Sequence, residues 1–197
     1  MLELYGEEVS LSIYHSGRPD EGVLHEFKSA HSPLPDSSSP EEEVRAMGHL
    51  QNSIHIDAPV DKVRGFTDDP HNWATFMVGM SEPDKIFGYR GVGTQVEFTF
   101  LMAGVRIHET SQVVEDRRYP YGGGHGRLDF TGPSCGWQTW DFKPTNGGTL
   151  VTTEMEYTVP GSVLVKVTGR LIVEKMQERN MRHSLENLKL LMEGSPS

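Results

Sequence analysis

The sequence predicts an α+β fold in which an antiparallel sheet packs against one long C-terminal helix. Short strand-like segments follow one another from about residue 49, and an amphipathic segment over residues 161–193 comes after them. In this segment apolar residues recur mostly every three to five positions, which keeps them on one stripe of a helix. The stripe consists of Leu164, Val167, Leu171, Ile172, Met176, Met181, Leu185, Leu188 and Met192. Because the helix must bury this stripe against one concave face of the sheet, a ligand cavity is expected between them.

Alternating apolar residues and turn residues define the strands. The first strand is expected over residues 49–57, and Pro59 then begins a short helix because proline suits the first helical position. Asp69 and Pro70 repeat this pattern as a helix cap and a first helical residue, so two short helices follow the first strand. Six further strands, separated mostly by turns that contain glycine, are expected over residues 82–90, 94–103, 105–115, 126–132, 136–143 and 149–159. The strands together form a seven-stranded meander.

Length and charge limit the class of protein. A chain of 197 residues suffices for one domain with a sizeable core, and its formal net charge is -10. Nucleic acids and anionic membranes bind basic surfaces, so a neutral or apolar ligand is the expected partner. Cys135 is the single cysteine and cannot form an internal disulfide, and the first residues lack a basic segment followed by an apolar one. We therefore expect a cytoplasmic protein that does not insert into a membrane.

The N-terminal part of the chain differs in composition from the rest. Residues 29–43 collect serine, proline and acidic residues, which bury too little apolar area to offset the entropy of ordering. We therefore expect an N-terminal arm and linker over residues 1–47 and a ligand-binding domain over residues 48–194. Val9, Leu11 and Ile13 alternate with polar residues and indicate a short strand or hairpin in the arm. This arm is either a lid over the pocket or an ordinary terminal appendage.

Three segments carry a resemblance to a known superfamily. Residues 54–63 read Ile-His-Ile-Asp-Ala-Pro-Val-Asp-Lys-Val, residues 68–73 read Asp-Asp-Pro-His-Asn-Trp, and residues 148–152 read Gly-Thr-Leu-Val-Thr. In this order, and over about residues 49–193, the chain resembles the helix-grip superfamily of START domains, Bet v 1-like proteins and polyketide cyclases (SRPBCC type). The resemblance implies a curved sheet wrapped around the C-terminal helix. It also implies a hydrophobic ligand such as a lipid, hormone or polyketide, which some members cyclise or dehydrate and others only carry.

Strand alternation and the helix stripe indicate which side chains face the cavity. In residues 96–102 the even positions hold apolar side chains, and in residues 151–159 the odd positions hold mostly apolar ones. The side chains at these positions are therefore expected to point inward. For any single residue, a place in the ordinary core is the alternative. The expected ligand-binding residues are Trp73, Phe98, Phe100, Met102, Val113, Phe130, Trp140, Phe142, Val151, Thr153, Met155, Leu164, Val167 and Leu171.

Glu109 is the strongest catalytic candidate. In residues 105–115 the apolar side chains Val105, Ile107 and Val113 occupy odd positions, which places them on the inner face. Glu109 and Ser111 also occupy odd positions, so they are expected on the same face. Desolvation would raise the pKa of this carboxyl toward the range useful for general acid or base catalysis.

Tyr157 and Ser111 are the polar groups expected beside Glu109, where they would assist enolisation or dehydration. Three alternatives remain open at this point: a bulge that turns Glu109 outward, the opposite phase with Val114 inside, or a structural ion pair with Arg106 or Arg127.

Val113 is a departure from the aromatase/cyclase members that this chain resembles. Those members place an arginine three residues before an aspartate on this strand, where it holds a polyketide oxygen. If Asp116 is that aspartate, the position holds Val113 here. The departure favours an apolar or less oxidised substrate over a charge-anchored poly-β-ketone.

Other motifs suggest no cofactor and no metal. The nine histidines include neither an HExxH motif nor a His-x-His pair, and the glycine-rich segments 88–93 and 122–124 lack the context of nucleotide-binding loops and are interpreted as turns. Two functions therefore fit. One is a cofactor-free cyclase or dehydratase for a polyketide-like metabolite, and the other is a non-catalytic carrier or sensor of a lipid or other apolar metabolite. Inward polar groups favour the enzyme.

Overall fold

The computed structural model describes residues 46–166 and 170–194 of the chain. The strands are β1 (Ala46–Ile56), β2 (Lys85–Phe87), β3 (Gln95–Met102), β4 (Val105–Arg118), β5 (Gly124–Thr131), β6 (Gly136–Thr145) and β7 (Gly148–Val159). The helices are α1 (Val60–Thr67), α2 (Trp73–Phe76), α3 (Gly161–Lys166) and α4 (Arg170–Gly194), and a short 3₁₀ helix (Pro70–Asn72) lies between α1 and α2. Of the arm and linker expected over residues 1–47, residues 1–45 lie outside the described residues, and residues 46 and 47 begin β1.

The seven strands form one curved antiparallel sheet in the order β1-β7-β6-β5-β4-β3-β2. The strands from β2 to β7 follow one another as a meander, and β1 pairs with β7 from Ala46 opposite Val159 to Ile56 opposite Thr149. The long helix α4 packs against the sheet, and α1 and α2 follow the first strand as the sequence predicts. The α+β helix-grip fold expected from the sequence is therefore confirmed.

Aromatic side chains from the short helices and the sheet fill the core below α4. Phe76 on α2 meets Trp140 edge to face, with ring centroids 6.0 Å apart, and Trp140 stacks on Phe142 at 6.3 Å. Leu185 and Leu188 of α4 belong to the same buried cluster. The C-terminal half of α4 is thus held by close apolar packing, which fixes the position of the whole helix over the sheet.

The expected helical stripe is correct only in its C-terminal half. Met181, Leu185, Leu188 and Met192 are buried, whereas Leu171 is 71 % exposed. Two further observations correct the N-terminal half: Ile172 is also exposed, and Val173 and Gln177 are buried instead. Met176 and Met181 are five residues apart, and a step of five residues turns the side chain by about 140° around the helix axis. The expected stripe therefore leaves the buried face at this step. The helical segment is assigned as α3 and α4, and Val167 lies between them outside the described residues.

A buried arginine fastens α1 to the sheet. The guanidinium of Arg64 donates hydrogen bonds to the carbonyl oxygens of Arg117 and Gly123, each at 2.9 Å, and its side chain is 1 % exposed. It also pairs with the carboxylates of Asp116 and Asp68. Because both carboxylates lie next to the guanidinium, they compensate the positive charge of Arg64 in a place from which water is excluded.

Gly124 gives this guanidinium its space. A Cβ atom at Gly124 would lie 1.5 Å from Arg64 Nη1 and 2.1 Å from the carbonyl oxygen of Arg117. The glycine-rich segment 122–124, interpreted above as a turn, therefore also forms the passage through which Arg64 reaches the sheet.

We expect the substitution Gly124→Ala to lower the free energy of unfolding by roughly 3 kcal/mol or more, because the guanidinium must leave its buried partners. Chemical denaturation measures this change. Gly65→Ala is the matched control, since a Cβ at this α1 position meets nothing within 4 Å and alanine favours a helix by about 1 kcal/mol over glycine. Equal stability of the Gly124→Ala protein and the wild type would contradict the packing of Arg64.

Candidate functional site

A cavity lies between the concave face of the sheet and α4. We call it the Glu109 cavity, and it has an empty volume of about 550 Å³ when space open to solvent is included. Its wall contains all three expected catalytic residues, Glu109, Ser111 and Tyr157. Six expected ligand-binding residues also line it: Trp73, Phe98, Phe100, Met102, Phe130 and Met155. The sequence therefore predicts three of the polar side chains in this wall.

Two further cavities adjoin the Glu109 cavity and share residues with it. The Asp116 cavity shares Trp73, Met77 and Leu128, and its wall includes the expected residues Val113, Trp140 and Phe142. The helix cavity lies beside α4 and shares Met155, Gln138 and Gln177 with the Glu109 cavity; its wall includes the expected residue Thr153. The three spaces are therefore neighbours along one face of the sheet.

The remaining expected ligand-binding residues lie elsewhere. Val151 is fully buried in the core cluster and lines none of these three cavities. Leu171 is exposed on α4 and lines a groove beside His49, Leu50 and Gln51 of β1 instead of these cavities. Leu164 lies in α3, and Val167 lies outside the described residues. A ligand role for each expected residue is a prediction that placement alone does not test.

The strand β4 holds Glu109 on the inner face. Ile107, Glu109 and Ser111 are buried in alternation with more exposed residues, which is the period of a strand with one covered face. The register of β4 with β5 shifts between Val113 and Glu115, beyond Glu109 along the chain. Because the bulge lies beyond Glu109, the side chain of Glu109 still points to the inner face of the sheet.

The two arginines considered as partners of Glu109 have other environments. Arg127 Nε donates to Asp129 Oδ1 at 2.8 Å, and its guanidinium carbon lies 5.3 Å from the centre of the Trp137 ring. Arg106 is exposed to solvent. Among the described residues, no ion pair includes Glu109, so its carboxyl is buried without a compensating cation.

Burial governs the pKa of Glu109. The side chain is 8 % exposed, and desolvation raises the pKa of its carboxyl from 4.5 to about 7. A hydrogen bond from the Ser134 hydroxyl opposes this shift because it stabilises the ionised form. The carboxyl is therefore present in both protonation states near neutral pH, which is the condition for a group that both accepts and donates a proton.

Ser134 reaches Glu109 from the loop between β5 and β6. Gly132, with a φ of +148°, allows this loop to pass close to β4, since a Cβ there would lie 2.7 Å from the carbonyl oxygen of His108. Ser134 is buried and lines the same cavity as Glu109. Sequence patterns did not single out Ser134, because a loop residue follows neither the strand period nor the helix period.

Two glutamines of the cavity wall were also missed. Gln138 shares the strand phase of Trp140 and Phe142, and this phase was the signal that could have found it. Gln177 lies four residues from both Val173 and Met181, so it completes the observed helical face. The side chains of the cavity wall were predicted mainly from apolar residues, and such a prediction leaves out both glutamines.

A comparison with family models decides the family. The model described as polyketide cyclase / dehydrase and lipid transport matches residues 47–193. The chain belongs to this family. The match spans every described strand except the first residue of β1, together with all but the last residue of α4. A comparison with curated proteins gives no match.

Solved structures share the fold at low sequence identity. The Zhui aromatase/cyclase from Streptomyces sp. R1128 has a TM-score of 0.59 and 18% identity, with 75% of this chain and 94% of that chain covered. The di-domain ARO/CYC BexL from the BE-7585A biosynthetic pathway has a TM-score of 0.59 and 20% identity, with 76% and 51% covered. Truncated norcoclaurine synthase from Thalictrum flavum has a TM-score of 0.55 and 14% identity, with 77% and 97% covered. At these identities, the likeness shows the fold alone.

Two surveys of the described residues complete the description of the site. Within residues 46–166 and 170–194, no helix has the length and apolar character needed to cross a membrane. In the same part of the chain, no group of three or more His, Cys, Asp or Glu side chains is arranged to hold a metal ion. The polar side chains that line the Glu109 cavity carry carboxyl, hydroxyl and amide groups.

The raised pKa of Glu109 predicts a pH-dependent stability. Between pH 4.5 and about 7 the folded protein keeps a proton on Glu109 that the unfolded chain releases. Stability from this group is therefore complete at low pH and is lost as the pH rises through 7. Relative to the variant Glu109→Gln, we expect the free energy of unfolding of the wild type to fall by about 3 kcal/mol across this range.

Denaturant titrations of both proteins at several pH values measure this difference. Glu97→Gln is the control, because Glu97 pairs with Lys85 at the protein surface at 3.2 Å and surface pairs contribute about 1 kcal/mol or less. A difference between wild type and Glu109→Gln that does not change with pH would show that the carboxyl is not desolvated.

Proposed function

We propose that the protein binds a hydrophobic small molecule in the Glu109 cavity and acts on it as a cofactor-free cyclase or dehydratase. The observation that carries this proposal is the buried carboxyl of Glu109, whose pKa is raised to about 7 in a largely apolar wall. A cavity that only excludes water does not need such a group, and burying it costs stability. The family description, which names cyclases and dehydrases, supports the same chemistry.

The proposed dehydration needs one proton acceptor that later becomes a donor. Ionised Glu109 removes a proton from the carbon next to a ketone, and the electron pair of the C–H bond forms an enolate. Protonated Glu109 then gives this proton to the hydroxyl on the next carbon, which leaves as water while a C=C bond forms. Atoms and charge balance, and Glu109 returns to its ionised state.

The proposed cyclisation uses the same first step. The enolate carbon attacks a second carbonyl carbon of the same molecule, a C–C bond forms, and Glu109 returns its proton to the new alkoxide oxygen. The cavity wall contributes by holding the two reacting carbons together, which replaces a bimolecular encounter by an intramolecular one. Phe98, Phe100 and Phe130 line the cavity and would supply this apolar mould.

Ser111 and Tyr157 are proposed to stabilise negative charge on the substrate. Both side chains are buried and line the Glu109 cavity. A hydroxyl placed in a site of low polarity stabilises a developing enolate more strongly than water does, since it needs no reorganisation. Their effect on turnover should therefore be smaller than that of Glu109 but additional to it.

A carrier or sensor is the second candidate. The apolar part of the wall, from Phe98 through Met102 to Met155, favours binding of an apolar molecule with or without chemistry. The two candidates differ only in whether Glu109 transfers a proton, so one substitution at that position separates them.

The substitution Glu109→Gln should reduce dehydration about 10²- to 10⁴-fold while ligand affinity changes little, because the amide keeps the shape and cannot transfer the proton. A naphthyl β-hydroxy ketone is a suitable substrate, since its conversion to the conjugated enone is followed by ultraviolet absorbance. Binding is measured in parallel by the change in tryptophan emission, as Trp73 and Trp140 line the adjoining cavities.

Glu97→Gln on the neighbouring strand is the control and should turn over the ketone at the wild-type rate. Unchanged product formation by a folded Glu109→Gln protein would remove Glu109 from the mechanism. Saturable binding without turnover by the wild type, across ketones of different length, would favour the carrier.

A further inference from the structure

Gln177 places a polar amide in the wall that α4 contributes to the Glu109 cavity. Its side chain is 4 % exposed and lines both the Glu109 cavity and the helix cavity. The amide oxygen accepts a hydrogen bond from Asn180 Nδ2 at 3.3 Å. Among residues 46–166 and 170–194, the amide nitrogen, Nε2, donates no hydrogen bond to the protein. The nitrogen keeps some accessible surface, so an acceptor inside the cavity can pair with it.

Gln138 lines the same two cavities from β6, and one of the two protons on its amide nitrogen is already committed. Nε2 donates to Thr153 Oγ1 at 3.0 Å, and the Thr153 hydroxyl donates its single proton to the carbonyl oxygen of Thr139 at 2.9 Å. Because Thr153 Oγ1 must then accept from Gln138, the orientation of this amide is fixed. Of the two amides at the junction of the cavities, Gln177 is therefore the one with both donor protons available to a ligand.

We propose that Gln177 Nε2 donates a hydrogen bond to a ketone oxygen of the ligand and thereby determines the substrate class. This inference rests on the proposed function, since it concerns the same cavity. The ligand is an apolar ketone that lies between β4 and α4, with its oxygen toward Gln177 and its neighbouring C–H group toward Glu109. A hydrogen bond to the oxygen also stabilises the enolate, so the same contact orients the ketone and makes its C–H bond more acidic.

The uncharged amide explains why the ligand should be a simple ketone. Arginine holds several oxygens through its charge and its fork of donors, whereas one amide N–H group satisfies a single carbonyl oxygen. Val113, in the adjoining Asp116 cavity, supplies no donor. An apolar body with one ketone for Gln177 and one further oxygen, the hydroxyl or carbonyl that reacts, thus matches the wall better than a chain of many carbonyl groups.

Paired ligands of equal shape test the inference. Acetylnaphthalene has the ketone oxygen and ethylnaphthalene lacks it, and both are titrated into wild type and Gln177→Met. Methionine keeps the length of the side chain and removes the donor. We expect the dissociation constant of the ketone, relative to that of the hydrocarbon, to rise about tenfold in the variant. Gln112→Met, an exposed position on β4, should leave this ratio unchanged.

Infrared spectroscopy of the bound ketone gives a second measurement that also works on the wild-type protein. A hydrogen bond lowers the carbonyl stretching frequency, so the bound ketone should absorb below its position in cyclohexane and move back toward it in Gln177→Met. A cyclohexane-like frequency in the wild type, or an unchanged affinity ratio in Gln177→Met, would overturn this inference and leave the proposed function standing. Failure of both ligands to bind the wild type saturably would instead contradict the proposed function itself.

Discussion

The buried Arg64 guanidinium is the interaction on which the arrangement of the cavities depends. It joins α1 to β4 and to the turn before β5 through Asp116 and two backbone carbonyl groups. From α1 the chain continues to Trp73, whose indole nitrogen donates to the carbonyl oxygen of Thr67 at 2.9 Å and whose ring lines two of the cavities. The position of that ring therefore follows from the position of α1. Loss of the arginine contacts would free one wall of the cavities as well as destabilise the fold.

The site combines a packed region with an incompletely filled one. The aromatic cluster around Trp140 and the C-terminal half of α4 fix the helix to the sheet, whereas the segment near Gln177 spans a cavity. A carboxyl that enters this apolar space is stable mainly in its neutral form, which raises its pKa. The same lack of water that makes Glu109 costly to the fold makes its proton available for transfer near neutral pH.

The sequence predicts the fold and the inward phase of β4 well, because both follow from short-range periodicity. Glu109 could be assigned to the cavity from its alternation with Ile107 and Ser111 alone. The contacts that decide its environment could not be assigned, since Ser134 reaches it from a separate loop. Gly124 illustrates the same limit: its turn was predicted, but its contact with Arg64 joins residues 60 positions apart. The helix stripe failed at Leu171 because steps of five residues were accepted as one face.

The ionisation of Glu109 itself is the most direct test of the account. Carbon-13 NMR of labelled glutamate carboxyl groups, with the Glu109 signal assigned by its loss in Glu109→Gln, follows this group from about pH 4 to about pH 9. We expect a midpoint at about pH 7 for this signal. Addition of acetylnaphthalene should change that midpoint, because the ligand displaces water from the same cavity. A midpoint at the ordinary value of 4.5, unaffected by the ketone, would show that no desolvated carboxyl faces the ligand.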